Sequence, residues 1–228
     1  MRIEPLGDSA VQIVLGDAPD EPTRRRVAAA ARRLDESRLP GLIECVPGFT
    51  SLTIHYDPVR LPPSDAGWLD SSLAHLLDEL DESAGDDGRL VEIPVCYGGE
   101  FGPDLESLAS LHGLTADEAV ALHAAGGYRV HLVGFVPGFP YLGGLDAKLA
   151  TPRRESPRTV VPAGSVGIGG AQTGIYPVES PGGWQLIGRT PLRLFDAHRD
   201  PPALLRAGDR VRFVPVDAEA FRRMEQGA

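Results

Sequence analysis

Hydrophobic and polar residues alternate in two short stretches of the first third of the chain. Both AVQIVL, residues 10–15, and SLTIHYD, residues 51–57, have a hydrophobic side chain at every second position. That period of two predicts strands with one buried face. Between them, Val27, Ala31 and Leu34 recur at helical spacing, after a proline near the first turn. The pattern therefore predicts two strands separated by an amphipathic helix.

A second amphipathic helix is predicted after Ser64-Asp65, where leucines recur at spacings of four, three and four. These leucines are Leu69, Leu73, Leu76 and Leu80. The segment SAGDDG, Ser83 to Gly88, then contains only small, polar and glycine residues, which is typical of a linker. We therefore expect a small α/β domain over residues 1–84 and a second domain over residues 89–228.

The second domain is predicted to start with strands and helices and to end as β-structure. RLVEIPVCYGG and YRVHLV favour strands, and a short helix begins at Pro103-Asp104. Another helix begins at Thr115, which has capping-box spacing to Glu118, and ends at Gly126-Gly127. From residue 134 to about 213, short apolar runs are separated by glycine and proline without a helical period. This pattern predicts a β-barrel or a β-sandwich.

Composition and charge exclude several classes of protein. With 42% hydrophobic and 24% charged residues, the chain resembles an ordinary soluble globular protein. Its 22 basic and 32 acidic residues give a net charge of -10, which argues against binding nucleic acid through a basic surface. The apolar runs are too short for a membrane span or a signal peptide, so we expect a cytoplasmic protein.

Motifs for metal and nucleotide binding are missing from the sequence. The two cysteines, Cys45 and Cys96, are far apart, and the six histidines form no HxH or HxxxH pair, so we predict no metal site. The glycine-rich GSVGIGGAQTG lacks the Lys-Ser/Thr ending and the following helix of a phosphate-binding loop. Ser165 lies in this segment without the strand-turn-helix context of a nucleophile elbow, which favours a structural serine.

The segment GFVPGFPYLGG, residues 134–144, places three aromatic side chains among glycines and prolines. We expect a defined but irregular path there, neither helix nor strand. Polar and aromatic residues also accumulate beside later turns: Gln172, Thr173, Tyr176, Trp184, Arg153, Arg158 and Arg189. Loops held by a rigid barrel often carry binding groups. Two interpretations stay open: these residues form a binding site, or the aromatics close the barrel ends and the arginines bind turn carbonyls.

A long motif in the second half of the chain resembles the hallmark of a known family. It reads GFVPGFPYLGGLDAKLATPRRESPRTVVPAGSVGIGGAQTGIYPVESPGGWQLIGRTPLRLFD. The family contains the B subunit of 5-oxoprolinase, the sporulation kinase inhibitor KipI and allophanate hydrolase subunit 1. GDSAVQIVLGD and VPGFTSLTIHYDP resemble its N-terminal strands, so the resemblance covers nearly the whole chain. It implies an α+β two-domain protein, with a small α/β N-terminal domain followed by a cyclophilin-like β-barrel C-terminal domain.

The resemblance implies that the chain is one subunit of an enzyme and is active only in a complex. Such subunits act with the A and C subunits of 5-oxoprolinase in the ATP-dependent hydrolysis of 5-oxo-L-proline to L-glutamate, with ATP as a co-substrate of the complex. The C subunit is a homologous barrel, and Phe135, Phe139 and Tyr141 are expected to line a cleft against it. Two alternatives stay open. One is an inhibitor of the KipI kind, which binds a sensor histidine kinase; the other is a subunit related to allophanate hydrolase or urea carboxylase.

Candidate site residues come from the same motif and from the segment LHAAGGYRV, residues 122–130, which also resembles the family. Opening a lactam develops an oxyanion that needs aimed donors, and Arg153, Gln172 and Arg189 are the candidates. His123 is the candidate for proton transfer, because an ordinary imidazole titrates near neutrality; interaction with helix-end carbonyls is the alternative. The catalytic candidates are thus His123, Arg153 and Gln172. The candidates for substrate binding or a partner interface are Phe135, Pro137, Gly138, Phe139, Tyr141, Ser165, Thr173, Tyr176, Trp184 and Arg189.

Overall fold

The protein, described by a computed structural model, forms two compact units, Met1–Asp87 and Gly88–Ala228. The structure describes residues 2–18, 20–61, 68–78, 80 and 88–227. Each unit has its own hydrophobic core. Except for Gly88, the predicted linker Ser83 to Gly88 lies outside the described residues, so the domain limits at residues 84 and 89 stay a prediction.

The first unit contains an antiparallel four-stranded sheet and two helices. Its strands are β1 (Arg2–Pro5), β2 (Ala10–Val14), β3 (Leu42–Pro47) and β4 (Ser51–Tyr56), and its helices are α1 (Glu21–Ser37) and α2 (Trp68–Asp78). The strands lie in the order β1-β2-β4-β3. The two predicted strands, β2 and β4, are therefore neighbours in the middle of the sheet.

The hydrophobic pattern explains how this unit packs. Ile13 of β2 and Leu52 of β4 are fully buried and share a core with Val27 and Leu34 of α1. The side chain of Asp20 caps α1 by accepting a backbone N–H of the first turn. These elements confirm the predicted strands and the first helix. The second predicted helix is confirmed over α2, while its predicted start at Ser64-Asp65 lies outside the described residues.

The second unit is built around a closed β-barrel. Its helices are α3 (Leu105–Leu111), α4 (Ala116–Ala125) and α5 (Ala218–Gln226), with a 3₁₀ helix at Ala147–Leu149. Its strands are β5 (Leu90–Tyr97), β6 (Tyr128–Val133), β7 (Pro140–Gly143), β8 (Arg158–Val161), β9 (Ser165–Gly169), β10 (Gln172–Ile175), β11 (Ser180–Gly182), β12 (Gln185–Arg189) and β13 (Arg210–Pro215). Seven strands close in the order β10-β7-β6-β13-β5-β12-β9, and β8 pairs with β11 in a separate two-stranded sheet. The barrel confirms the predicted mixed α+β fold.

The barrel interior is a packed apolar core. Ile93 of β5, Ile168 of β9 and Phe213 of β13 are buried in it. β13 pairs in parallel with β5 along its whole length, and α4 lies against β13. Over the residues that the structure describes, no helix is both long enough and apolar enough to cross a membrane.

Local predictions for this unit are mostly confirmed. Thr115 and Glu118 form the capping box at the start of α4, and the predicted strands at β5 and β6 are present. The prediction that GFVPGFPYLGG contains no strand is wrong, because Pro140–Gly143 pairs with both β6 and β10. Proline fits there because it is the first residue of its strand. One of the short apolar runs, LRLF at residues 192–195, forms no strand, because its Phe195 makes only an isolated bridge to Ala203.

Candidate functional site

The loop before β7 holds an exposed aromatic side chain in an unusual backbone conformation. The N–H of Gly134 donates to the carbonyl of Phe139 at 3.0 Å and closes the loop. Phe135 and Gly138 have left-handed backbones, with φ of 69° and 83°. A Cβ at Gly138 would lie 2.9 Å from the Cβ of Phe195, so glycine is needed there. For Phe135 the left-handed conformation costs about 1 kcal/mol or more.

Five aromatic side chains meet behind this loop and form what we call the aromatic cluster. Phe139 lies at its centre, with its ring centroid 4.9 Å from Tyr141, 5.1 Å from Tyr176 and 5.4 Å from Trp184. Phe135 contacts Phe139 edge-on at 5.6 Å but keeps 62% of its surface exposed. Phe139 is only 2% exposed, so it is buried by its own chain and does not line an open cleft as the sequence suggested. Phe135 is the member that faces solvent.

Trp184 is seated on strands that carry glycine where its ring lies. A Cβ at Gly169 of β9 would lie 2.6 Å from the indole, and one at Gly174 of β10 would lie 3.0 Å from it. Any side chain at these positions would displace the ring. The guanidinium carbon of Arg153 lies 5.9 Å from the centroid of the Trp184 ring, which is a cation–π distance. The glycines of the barrel thus fix the ring against which Arg153 rests.

Asp104 joins the arginine-rich segment TPRRESPR to the barrel. It directly precedes α3 and is 5% exposed. Its Oδ1 lies 2.7 Å from Nη2 of Arg158 and 3.2 Å from Nη1 of Arg154. Its Oδ2 accepts the backbone N–H of Leu186 in β12 at 2.7 Å. The sequence does not indicate this role, because an aspartate at a helix start is expected to cap the helix, whereas Asp104 makes no side-chain cap.

His123 lies in the barrel core rather than in the aromatic cluster. It is fully buried on α4, with its ring 4.6 Å from Phe213 and 5.3 Å from Tyr128. Burial lowers the pKa of His123 to about 3, so the imidazole is neutral at neutral pH. The proposed proton transfer assumed a pKa near neutrality, and that premise is not met. The alternative, contact with helix-end carbonyls, is not observed either, because the ring nitrogens contact hydroxyl groups.

Those hydroxyl groups assign the imidazole tautomer. The hydroxyl of Thr173 donates its proton to the carbonyl of Gly167 at 2.9 Å, so it accepts from Nε2–H of His123 at 3.0 Å. Nδ1 then accepts from the hydroxyl of Tyr97 at 2.8 Å. Every donor in this chain of hydrogen bonds has an acceptor. We conclude that His123 connects α4 to β5, β9 and β10.

Arg189, a predicted oxyanion donor, supports the last helix instead. Its Nε donates to the carbonyl of Ala163 at 2.9 Å, and its Nη2 lies 3.6 Å from the carboxylate of Glu225 on α5. The guanidinium also lies 5.8 Å from the ring of Phe221, the buried residue of α5. These contacts use Arg189 to hold α5, which accounts for it without a catalytic role.

The remaining predicted residues lie on two strands and a loop. Ser165 begins β9 and is 2% exposed, as a structural serine would be. Gln172 begins β10 opposite Gly169 and is half-buried, whereas Thr173 beside it is fully buried. Pro137 is exposed in the loop before β7. The structure therefore gathers the aromatic cluster with Arg153, while His123 and Thr173 belong to the barrel core and Ser165 is buried on β9.

The described residues offer no activated thiol and no metal cluster. Cys45 is half-buried and Cys96 is buried. Burial raises the pKa of Cys45 to about 12 and also raises that of Cys96, so both stay protonated and unreactive near neutrality. Across these same residues, no three histidine, cysteine, aspartate or glutamate side chains are grouped to hold a metal ion.

Comparison with known proteins places the chain in a family. Residues 1–205 match the family model described as carboxyltransferase domain, subdomain C and D. The chain is 49% identical to the 5-oxoprolinase B subunit of Bacillus subtilis (strain 168), covering 96% of this chain and 95% of that protein. It is 47% identical to the 5-oxoprolinase B subunit of Escherichia coli O157:H7, covering 92% and 94%.

A solved structure supports the same placement. The crystal structure of TTHA0988 resembles this fold with a TM-score of 0.80 at 41% identity, covering 92% of this chain. The chain spans only 40% of that longer polypeptide. Identity at this level over nearly the whole chain, together with the matching fold, shows common descent. The chain belongs to the family of the 5-oxoprolinase B subunit, among proteins with carboxyltransferase subdomains C and D.

Proposed function

We propose that this chain is the B subunit of an ATP-dependent 5-oxoprolinase, which hydrolyses 5-oxo-L-proline to L-glutamate together with the A and C subunits. The observation that carries this proposal is the identity of 49% and 47% to proteins named as the B subunit of 5-oxoprolinase, along nearly their full lengths. Their name describes a subunit, so further chains are needed for the complete enzyme.

The proposed architecture is a separate α/β domain over residues 1–84 and a cyclophilin-like barrel over residues 89–228. Two observations support it: the two units have separate hydrophobic cores, and the second unit closes seven strands into a barrel. All of the candidate site residues lie in the second unit.

The proposed partner surface is the exposed loop before β7, and its proposed occupant is the C subunit. Phe135 keeps 62% of its surface exposed in a left-handed backbone conformation. An exposed, strained aromatic side chain adds little to the stability of its own chain, which favours a role in binding. In TTHA0988 the matching region is 40% of a longer chain, so this fold there is covalently joined to more polypeptide.

The proposed chemistry explains why several subunits would share the work. A five-membered lactam resists water because attack breaks its amide resonance. Phosphorylation of the amide oxygen by ATP, which leaves as ADP, makes the carbon a better electrophile. Water adds to this carbon, and the ring C–N bond breaks to give an acyl phosphate. A second water then hydrolyses the acyl phosphate to L-glutamate and phosphate. Arg153 and Gln172 are the candidate donors to substrate oxygens in this chain. His123 acts as a positioning residue that holds Thr173 beside Gln172.

Reconstitution tests this proposal. Mixing the chain with the A and C subunits, 5-oxoproline and ATP should release glutamate, and leaving out any one component should stop the release. A full rate without this chain would reject the proposal. Inhibition of the autophosphorylation of a sensor histidine kinase by this chain alone, with no glutamate formed in the mixture, would favour the KipI alternative.

A further inference from the structure

The residues Arg153, Arg154 and Arg158, which we call the arginine segment, carry more positive charge than their partners neutralise. Two of the three arginines share a single carboxylate oxygen, Oδ1 of Asp104. Glu155 is the one acidic residue within the segment. Three positive charges against the carboxylates of Glu155 and Asp104 leave one net positive charge, in a chain whose net charge is -10.

The arginine segment also has hydrogen-bond donors to spare. An arginine commonly binds a carboxylate through two parallel hydrogen bonds, but Arg154 and Arg158 each make one to Asp104. Nη1 of Arg158 is buried and, within the described part of the chain, has no hydrogen-bond partner. A buried donor without an acceptor is costly and adds to the local positive potential. Arg154 keeps 38% of its side chain exposed, so an anion can approach from solvent.

Aromatic rings lie beside the arginine segment, and Trp184 among them is buried, with 4% of its surface exposed. Arg153 rests 5.9 Å from the ring centroid of Trp184, and Tyr141 lies 5.9 Å from Trp184 on the cluster. Arg158 of β8 pairs with Gly182 of β11, and a Cβ at Gly182 would lie against the hydroxyl of Tyr176. The arginine segment therefore borders the aromatic cluster.

We propose that the arginine segment binds the carboxylate of a small cyclic acid, with Asp104 as the residue that positions the arginines. This assignment rests on the proposed function, because 5-oxoproline consists of one carboxylate on a lactam ring. It also makes the role of Arg153 definite, since Arg153 then binds the substrate carboxylate and not the developing oxyanion. Planar guanidinium groups suit carboxylates, because they can donate two parallel hydrogen bonds to the two oxygens.

The test is steady-state kinetics of the reconstituted complex with three variants. Arg153→Gln removes an exposed guanidinium and should raise KM for 5-oxoproline about tenfold or more, while kcat stays within about threefold. Arg158→Lys keeps the charge but loses the planar fork, and KM should rise in the same direction. Arg193→Gln is the matched control, since Arg193 is 70% exposed and pairs with Asp196. It should leave both constants unchanged.

A substrate-side control uses 2-pyrrolidone, which is 5-oxoproline without the carboxylate. Its inhibition constant should stay within about twofold in both site variants, because the lost contact belongs to the carboxylate. An equal rise in that constant and in KM would contradict the proposal. A fall in kcat at unchanged KM would also contradict the proposal, because it would show that Arg153 stabilises the developing oxyanion.

The carboxylate site and the proposed function fail on different results. Glutamate release by the unaltered complex, with KM for 5-oxoproline unchanged in Arg153→Gln and Arg158→Lys, would reject the carboxylate site and keep the proposed function. A rise in KM for ATP alone would likewise reject the site, because the arginines would then bind the nucleotide. An unaltered complex that releases no glutamate would reject the proposed function itself.

Discussion

Oδ1 of Asp104 lies 2.7 Å from Nη2 of Arg158, while Oδ2 of the same carboxylate accepts the N–H of Leu186 at 2.7 Å. One buried side chain thus holds a loop residue and a barrel strand at the same time. Arg154 shares this carboxylate, so two arginines of the loop depend on Asp104 for an acceptor.

Asp104→Ala should lower the free energy of unfolding by about 2 kcal/mol or more, because it leaves a buried N–H and two arginines without their acceptor. Urea denaturation measures this change. Glu219→Gln is the control, since Glu219 pairs with Arg223 at 81% exposure and should change stability by less than about 0.5 kcal/mol. Similar losses in both variants would show that Asp104 does not have this role.

Phe135→Gly should separate stability from assembly. Relief of the left-handed strain and loss of the ring contact to Phe139 are each worth about 1 kcal/mol, so the stability of the isolated chain should change little. Affinity for the C subunit should fall about tenfold or more, because an exposed aromatic anchor is lost. Titration calorimetry measures this affinity. Leu111→Ala is the control, because Leu111 is also a hydrophobic residue with 65% of its surface exposed. Unchanged affinity in Phe135→Gly would remove Phe135 from the interface.

His123 should make stability depend on pH in acid. Its pKa is about 3 in the folded chain and about 6.5 when unfolded, so between these values unfolding takes up a proton. The contribution of the neutral His123 to the free energy of unfolding is fully present above about pH 6.5. It is lost as the pH falls toward 3, by at most about 1.4 kcal/mol per pH unit. His123→Gln cannot titrate and should give a shallower slope over this range. Parallel slopes for the two proteins would contradict the buried, neutral imidazole.

Gly169→Ala should disturb Trp184, because the new Cβ would lie 2.6 Å from the indole ring. We expect a loss of about 1 to 3 kcal/mol in the free energy of unfolding and altered tryptophan fluorescence. Gly127→Ala is the matched control, since nothing lies within 4 Å of a Cβ there. A stability loss in the control as large as in Gly169→Ala would point to a general effect of replacing glycine.

Local patterns in the sequence predicted most of the elements. The alternation around Ile13 and Leu52 identified β2 and β4, and the spacing of Thr115 and Glu118 identified the start of α4. β7 was missed because proline and glycine dominate its sequence, although Pro140 occupies a strand position that needs no ladder donor. Spacing and alternation within a short segment are sufficient to predict such helices and strands, because each is formed by residues that are neighbours in the sequence.

The site was only partly predictable, because burial and pairing depend on distant segments. Asp104 meets Arg154 and Arg158 across 50 and 54 residues, and nothing local distinguishes it among 32 acidic residues. The low pKa of His123 comes from enclosure by strands far from α4 in sequence. Arg189 likewise contacts α5, which lies near the end of the chain. The sequence indicated that aromatic and arginine residues gather, but not which of them stay exposed.

The most direct test of the central claim is the rate of glutamate release from 5-oxoproline at fixed amounts of the A and C subunits and saturating ATP, while this chain is titrated in. We predict that the rate rises from background and levels off once the chain matches the amount of the C subunit. A rate that is already maximal without the chain, or that stays at background at every amount of it, would contradict the account.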